Sequence, residues 1–199
     1  MKANTIHKTD YFIDLESRYG AHNYHPLPVV INRGEGIYLY DVEGKKYFDF
    51  LSAYSAVSQG HCHPEIIKTF ISQARKLTLT SRAFHSEALS RFTKYITEYF
   101  GYDKVLPMNT GAEAVETALK LCRHWAYRVK GVEKDKAKII VCEGNFHGRT
   151  LGIISMSTDD VARHDFGPYL EGFTVIPYND LEALKDALRD PNVAGFLVE

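Results

Sequence analysis

The chain has 199 residues, of which 45% are hydrophobic and 25% charged, a composition typical of globular proteins. Its 24 basic and 25 acidic side chains leave a formal net charge of −1. Because binders of nucleic acids and anionic membranes usually carry a basic excess, neither partner is expected. Three scattered cysteines match neither a disulfide framework nor a zinc spacing, so no metal site is expected either.

The first 20 residues lack the apolar core of a secretory signal and carry three carboxylates, Asp10, Asp14 and Glu16. Mitochondrial transit peptides are poor in acidic residues. No stretch of the chain approaches the ~20 apolar residues of a membrane helix. We therefore expect a cytoplasmic protein.

A β-hairpin is predicted first, over residues 36–50, where apolar and polar residues alternate and Gly44 can supply the positive φ of the turn. Two helices are predicted next, over residues 64–77 and about 86–100. Pro64 suits a first-turn position, and apolar residues recur in both segments at helical spacing.

From residue 104 the pattern changes to long helices and apolar runs. A helix is predicted over 112–129, with one apolar stripe made of Val115, Leu119, Cys122, Ala126 and Val129. Asn179 is predicted to cap a second helix that ends before Pro191, in a capping box with Glu182.

Non-alternating apolar runs predict strands that are buried on both faces. The runs are 138–144, 153–157, 173–177 and 193–199. Such strands between helices indicate an α/β fold, with a mostly parallel sheet covered by helices and preceded by a small hairpin-containing segment. The predicted domains are residues 1–53, part of a small domain, and residues 54–199, the first part of a large one. Because the last predicted strand runs to Glu199 without a covering helix, we expect a longer protein.

Two loops carry candidate ligand-binding residues. Asn109 to Ala112 lie where a helix begins, and free amide groups at a helix N-terminus favour a phosphate or carboxylate. Thr110 can add a hydroxyl, and Gly111 allows close approach to the backbone. An ordinary N-cap is the alternative interpretation, since Asn and Thr are preferred there in any case.

The second loop, residues 145–150, directly follows a predicted strand, where open α/β sheets bind ligands. Phe146 can supply a flat stacking surface, and Arg149 a bidentate clamp for a carboxylate. In the alternative interpretation Phe146 belongs to the core and Arg149 pairs with an internal acid.

The order of motifs along the chain closely resembles that of ornithine aminotransferases, which are class-III pyridoxal-phosphate-dependent enzymes of fold type I. The motifs are NYHPLPVV, YFDFLSAYSAV, QGHCHPEII, LTSRAFH, PMNTGAEAVETALKL, GNFHGRTLG and IPYNDLEAL. NTGAEA and FHGRT are shared with the wider class-III group, whereas NYHPLP and SAYSAVSQGHCHP indicate the ornithine branch.

The resemblance implies a role for each matching residue. Thr110, Gly111 and Ala112 would hold the phosphate of pyridoxal 5'-phosphate, and Phe146 would stack on its ring. Glu199 would lie beside the cofactor. For the substrate, the implied residues are Arg149 with Tyr24 at the α-carboxylate of ornithine, and Tyr54 in the substrate pocket.

The implied reaction transfers the δ-amino group of L-ornithine to 2-oxoglutarate, in a homodimer. In this family the Schiff-base lysine lies downstream of Glu199, so no catalytic residue is assigned and residues 1–199 alone are expected to be inactive. One alternative is an acetylornithine or 4-aminobutyrate ω-aminotransferase, and another is a non-catalytic ligand-binding or assembly module. A nucleotide-binding domain ranks lower, because no glycine fingerprint follows a strand at the required spacing.

Overall fold

The computed structural model describes residues 8–199, so residues 1–7 of the predicted N-terminal segment lie outside the described part. The chain divides into two compact units, Met1–Leu89 and Ser90–Glu199. Within the described residues, no helix is both long enough and apolar enough to cross a membrane.

The first unit contains a helix, α1 (Lys8–Tyr19), and a three-stranded antiparallel sheet in the order β1-β2-β3. Its strands are Ile31–Glu35, Tyr38–Asp41 and Lys46–Phe48. The β2–β3 pair confirms the predicted hairpin. Strand β1 was not predicted, because its sequence, INRGE, is mostly polar and carries no apolar alternation.

The hairpin turn is organised by one carboxylate. Asp41 accepts hydrogen bonds from the amides of Glu43 and Lys45 and, at 2.7 Å, from the Tyr47 hydroxyl. The Tyr47 hydroxyl and these amides hold the pKa of Asp41 below its usual value. Gly44 has a φ of +88°, as the turn was predicted to require.

Three helical segments follow: α2 (Ser52–Ser55), α3 (Pro64–Lys76) and α4 (Glu87–Phe100). Both α3 and α4 confirm the predicted helices to within a residue. Gly101, with a φ of +73°, ends α4 in the left-handed conformation typical of a helix C-terminus.

The second unit is built around a parallel sheet. Its elements are α5 (Gly111–Trp125), a π-helical turn (Ala126–Lys130), β4 (Lys138–Cys142), α6 (Leu151–Ile154), α7 (Asp160–Arg163), β5 (Phe173–Ile176), α8 (Leu181–Ala187) and β6 (Val193–Leu197). The strand order is β5-β4-β6, and both neighbours run parallel to β4.

Successive residues of β4 point into two separate cores. Ile139 and Val141 pack with Leu119 of α5 on one face, whereas Ile140 and Cys142 pack on the other, the face that α8 covers. A parallel sheet buried on both faces confirms the predicted fold class and explains why its central strand is continuously apolar.

The prediction of a strand over residues 153–157 is wrong. Leu151–Ile154 form the short helix α6, and Ser155 to Ser157 continue as buried, non-extended chain. The Thr150 hydroxyl accepts a hydrogen bond from the Ile153 amide and so caps the helix. A short buried apolar run satisfies either structure, so its pattern alone could not distinguish helix from strand.

Three predicted boundaries are also corrected. Asp180, not Asn179, caps α8: its carboxylate accepts from the Ala183 amide at 2.9 Å, whereas Asn179 has a φ of +63°. Helix α8 ends at Ala187, earlier than predicted. The last strand ends at Leu197, so Glu199 lies beyond it.

Four of the five residues predicted to form the apolar stripe along α5 and the π-helical turn are buried or pack against the core. Leu119 and Ala126 are buried, and Val115 and Cys122 pack against the core. Val129 is instead 71% exposed. The π-helical turn Ala126–Lys130 has more residues per turn than an α-helix, which rotates Val129 off the stripe.

An ion pair joins the start of β4 to the loop before β6. Lys138 Nζ lies 2.7 Å from Asp190 Oδ2, and the Asn192 amide donates to Asp190 Oδ1. Lys138 and then this amide hold the pKa of Asp190 below its ordinary value of 3.8. Because the folded state favours the ionised carboxylate, its stabilisation is complete above this value and is lost as the pH falls below it.

We therefore expect Asp190→Asn to lower stability at pH 7 and to weaken the dependence of stability on pH below about pH 4. Urea midpoints measured from pH 7 down to pH 3 test this. Asp186→Asn is the matched control, since Asp186 pairs with Arg189 on an exposed surface. Equal pH dependence in the wild type and the Asp190→Asn variant would contradict the assignment.

Candidate active site

The start of α5 combines a satisfied cap with two amides that have no acceptor in the described part of the chain. Thr110 is extended and its hydroxyl accepts from the Glu113 amide at 3.1 Å, while the Glu113 carboxylate accepts from the Asn109 amide at 2.7 Å. The amides of Gly111 and Ala112 have no acceptor within residues 8–199. These amides and the positive end of the helix dipole form a site suited to an anion.

Space for such an anion exists beside Gly111. A β-carbon built at Gly111 would have no atom within 4 Å apart from its own chain neighbours and the helix backbone. The N-cap and the anion-site interpretations are therefore compatible: the hydroxyl of Thr110 caps the helix while the backbone next to it stays accessible.

The loop that follows β4 is fixed at both ends. The Asn145 side-chain amide donates to the carbonyls of Cys142, at 2.6 Å, and Met156, at 3.1 Å. At the other end Thr150 donates to Glu116 of α5, and a β-carbon on Gly152 would lie 2.5 Å from the same carboxylate. The loop is thus held by hydrogen bonds from its own Asn145 and Thr150 side chains, and the bond to Glu116 joins it to α5.

Gly148 brings this loop against the start of α5. It has a φ of +134°, and a β-carbon there would lie 3.2 Å from Ala112 Cβ and 2.8 Å from Ile153 Cδ1. A side chain at this position would be strained by the backbone and would also push the two segments apart. The two candidate loops found in the sequence therefore meet at the carboxyl end of the sheet.

The exposed side of the loop carries an aromatic ring and a cation. Phe146 is 57% exposed, so it is not a core residue, and Arg149 Cζ lies 5.5 Å from its ring centroid. Arg149 is also exposed. Together they present a flat apolar face next to a guanidinium, which suits a planar ligand and a carboxylate.

His147 lies between these two residues in sequence but points inward. Its side chain is 4% exposed, its Nδ1 lies 3.7 Å from Glu199 Oε2, and its Nε2 is buried with no partner among the described residues. Burial lowers the pKa of His147, against an opposing effect of Glu199. The imidazole is therefore neutral at pH 7. Sequence reasoning missed His147, although its place inside the loop was a usable signal.

Tyr24 and Tyr54 belong to the first compact unit. Tyr24 is 58% exposed and lines a cavity of about 550 Å³ between α1 and the segment that leads to β1. The walls of this cavity are mainly apolar, with Ile13, Pro26 and Leu27 among them.

Tyr54 lies in a turn of unusual backbone. All four residues of α2, Ser52 to Ser55, have positive φ values between 46° and 70°, and none is a glycine. Each left-handed residue costs roughly 1–2 kcal/mol, and such strain is concentrated at functional sites. The Tyr54 side chain is 86% exposed at this turn.

Comparison with known proteins identifies relatives along almost the whole chain. Residues 19–199 match the family described as aminotransferase class-III. The mitochondrial ornithine aminotransferase of Rattus norvegicus is 62% identical over 191 residues, which are 96% of this chain and 44% of that protein.

Two solved structures extend the comparison. An ornithine aminotransferase of Toxoplasma gondii, with partial occupancy of PLP at its active site, is 47% identical with a TM-score of 0.92; the match covers 96% of this chain and 44% of that one. An acetylornithine aminotransferase of Elizabethkingia anophelis is 57% identical with a TM-score of 0.83. That match covers 97% of this chain and 47% of the other. The chain thus spans less than half the length of each relative.

Proposed function

The chain belongs to the class-III aminotransferase family, and we propose that the protein is an ornithine aminotransferase. It would transfer the δ-amino group of L-ornithine to 2-oxoglutarate, giving glutamate 5-semialdehyde and glutamate. The sequence identity to the rat enzyme supports this assignment. The NYHPLP and SAYSAVSQGHCHP segments, which resemble the ornithine branch, support it as well.

The proposed cofactor is pyridoxal 5'-phosphate, and the residues present fit it. The observation that carries this proposal is the junction of the two loops. There, open space and the amides of Gly111 and Ala112, which have no acceptor among residues 8–199, adjoin the loop that carries Phe146. Thr110, Gly111 and Ala112 would hold the phosphate, Phe146 would stack on the pyridine ring, and Glu199 would lie beside it. When bound, the cofactor supplies the electron sink for amino-group transfer.

The remaining proposed roles concern the substrate. The guanidinium of Arg149 would bind the α-carboxylate of ornithine in a bidentate pair, and the Tyr24 hydroxyl would assist it. Holding the α-carboxylate there leaves the distal amine directed to the cofactor. Tyr54 would contact the substrate chain and favour ornithine over related amines.

A second candidate function is acetylornithine aminotransferase activity. It is favoured by one observation, the 57% identity to the Elizabethkingia anophelis protein. The two candidates differ at the α-amine of the substrate, which is free in ornithine and acylated in N-acetylornithine. A comparison of the two amines therefore separates them.

Because residues 1–199 alone are expected to be inactive, this test and the kinetic tests below use the full-length protein that contains them. The test measures glutamate formation from 2-oxoglutarate with L-ornithine, N-acetylornithine or 4-aminobutyrate, with pyridoxal phosphate added. We expect ornithine to have the highest kcat/KM. Tyr54→Ile should reduce this preference by about tenfold, which corresponds to about 1.4 kcal/mol. Tyr19→Ile is the control, because Tyr19 is 83% exposed at the end of α1.

Three outcomes would contradict parts of this proposal. A preference for N-acetylornithine would support the second function, and an unchanged preference in Tyr54→Ile would remove Tyr54 from the substrate site. Cofactor binding by the full-length protein without transfer from any amine would instead support a ligand-binding module.

The homodimer, the cytoplasmic location and the domain boundary after residue 53 also remain proposals. The resemblance to the family supports the dimer. The rat relative is called mitochondrial, so its name does not support the cytoplasmic location.

A further inference from the structure

A carboxylate–imidazole pair lies directly beside the left-handed turn that carries Tyr54. His61 Nε2 donates to Asp49 Oδ2 at 2.7 Å, and the Asp49 side chain is 8% exposed. The second oxygen, Oδ1, accepts from the amides of Ser52 at 2.8 Å and Leu51 at 3.1 Å. The buried carboxylate of Asp49 therefore binds the backbone where the turn begins, and the imidazole of His61 binds the same carboxylate.

The hydrogen bonds that Asp49 accepts favour its ionised form. The Ser52 amide, followed by His61, lowers the pKa of Asp49, so the group is ionised at pH 7. A carboxylate can only accept hydrogen bonds, which makes Nε2 of His61 the protonated nitrogen.

His61 is in turn fixed to the three-stranded sheet. Its amide donates to the Gly36 carbonyl at 2.7 Å, and its carbonyl accepts from the Gly36 amide at 2.9 Å. The ring packs over Gly34, where a β-carbon would lie 2.7 Å from a ring atom. The imidazole thus connects the end of β1 to Asp49 and, through Asp49, to the turn.

We infer that Asp49 and His61 are positioning residues, which set the orientation of Tyr54 and through it the preference for ornithine. This inference rests on the proposed function. Four consecutive positive φ values do not persist by themselves in L-residues, so contacts from outside the turn must select them. Within the described residues, the Asp49 side chain accepts from the amide of Ser52, the first residue of the turn, and from the amide of Leu51 just before it. Neither contact involves Tyr54 itself.

The first experiment measures how well the turn is ordered and does not depend on catalytic activity. Hydrogen exchange of the peptide covering residues 50–57 should become faster in His61→Ala and return toward the wild-type rate in His61→Gln, whose amide can reach the position of Nε2. Asp41→Asn is the matched control, since Asp41 organises the neighbouring hairpin through the same kinds of hydrogen bond. Unchanged exchange in His61→Ala would overturn the positioning role.

The second experiment is a double-mutant cycle on specificity. His61→Ala should lower kcat/KM for ornithine by about tenfold or more relative to 4-aminobutyrate, because a displacement of about 1 Å in a binding residue has effects of this size. In the Tyr54→Ile background the same substitution should cause no further change in this ratio. Equal losses for both amines, or additive losses in the cycle, would overturn the inference.

The two experiments test the proposed function and the positioning role of Asp49 and His61 separately. If the full-length wild type transfers no amino group from ornithine, the proposed function fails, while hydrogen exchange still decides whether the pair holds the turn. If His61→Ala does not fold, Asp49→Asn, which keeps an acceptor oxygen but loses the charge, takes its place in both measurements.

Discussion

Replacing Gly111 by aspartate is expected to weaken binding of pyridoxal phosphate by at least about 100-fold without destabilising the fold. The open space beside Gly111 accepts a side chain without a clash. The new carboxylate would lie where the phosphate is proposed to bind, and two charges 4 Å apart near a protein surface repel by about 4 kcal/mol. The same carboxylate lies in the first turn of α5, where it should stabilise the helix by roughly 0.3–1 kcal/mol.

The opposite signs of these two effects make the test specific. Cofactor affinity is measured by titration of the absorption spectrum, and stability by thermal unfolding of the cofactor-free protein. Ala114→Asp is the control, because Ala114 is an exposed residue in the next turn of the same helix. Unaltered cofactor affinity in Gly111→Asp would show that the phosphate does not bind at this helix terminus.

Much of the second unit could be predicted because the local sequence patterns there match the burial of the elements in the fold. Strand β4 is apolar at successive positions because both faces of the sheet are covered, and α5 combines a strong cap at Thr110 with a regular apolar stripe. Where local signals were ambiguous, the prediction failed. Residues 153–157 are buried but helical in part, and INRGE forms a strand only because β2 pairs with it.

In the candidate site, too, some residues are suggested by the local sequence and others only by contacts in the fold. Thr110, Phe146 and Arg149 are candidates that the sequence alone suggests, since each lies at the end of an element where ligands commonly bind. Glu116 and His61 could not be found in this way. Their roles depend on contacts between residues far apart in the chain, Glu116 with Thr150 and His61 with Gly34, and no local pattern encodes such contacts.

Replacing Arg149 by methionine is expected to lower kcat/KM for ornithine by about 100-fold or more. Arg149 is exposed in this structure, and in the proposed complex the bound substrate would cover its guanidinium. Removing one partner of such a desolvated, hydrogen-bonded charge pair costs roughly 2–5 kcal/mol, much of it because the other charge is left unpaired. Methionine keeps a flexible apolar chain next to the Phe146 ring, so the loop should retain its packing. Arg149→Lys should recover only part of the loss, since an ammonium lacks the planar fork that matches a carboxylate.

The substrate itself supplies the control for this prediction. 1,4-Diaminobutane is ornithine without its carboxylate, so its slower reaction should be the same in the wild type and in Arg149→Met, within about twofold. The preference for ornithine over the diamine, measured as the ratio of kcat/KM values, should therefore collapse in the variant. A parallel loss for both amines would instead indicate that Arg149 supports the loop or the cofactor, because only an interaction with the carboxylate can distinguish the two substrates.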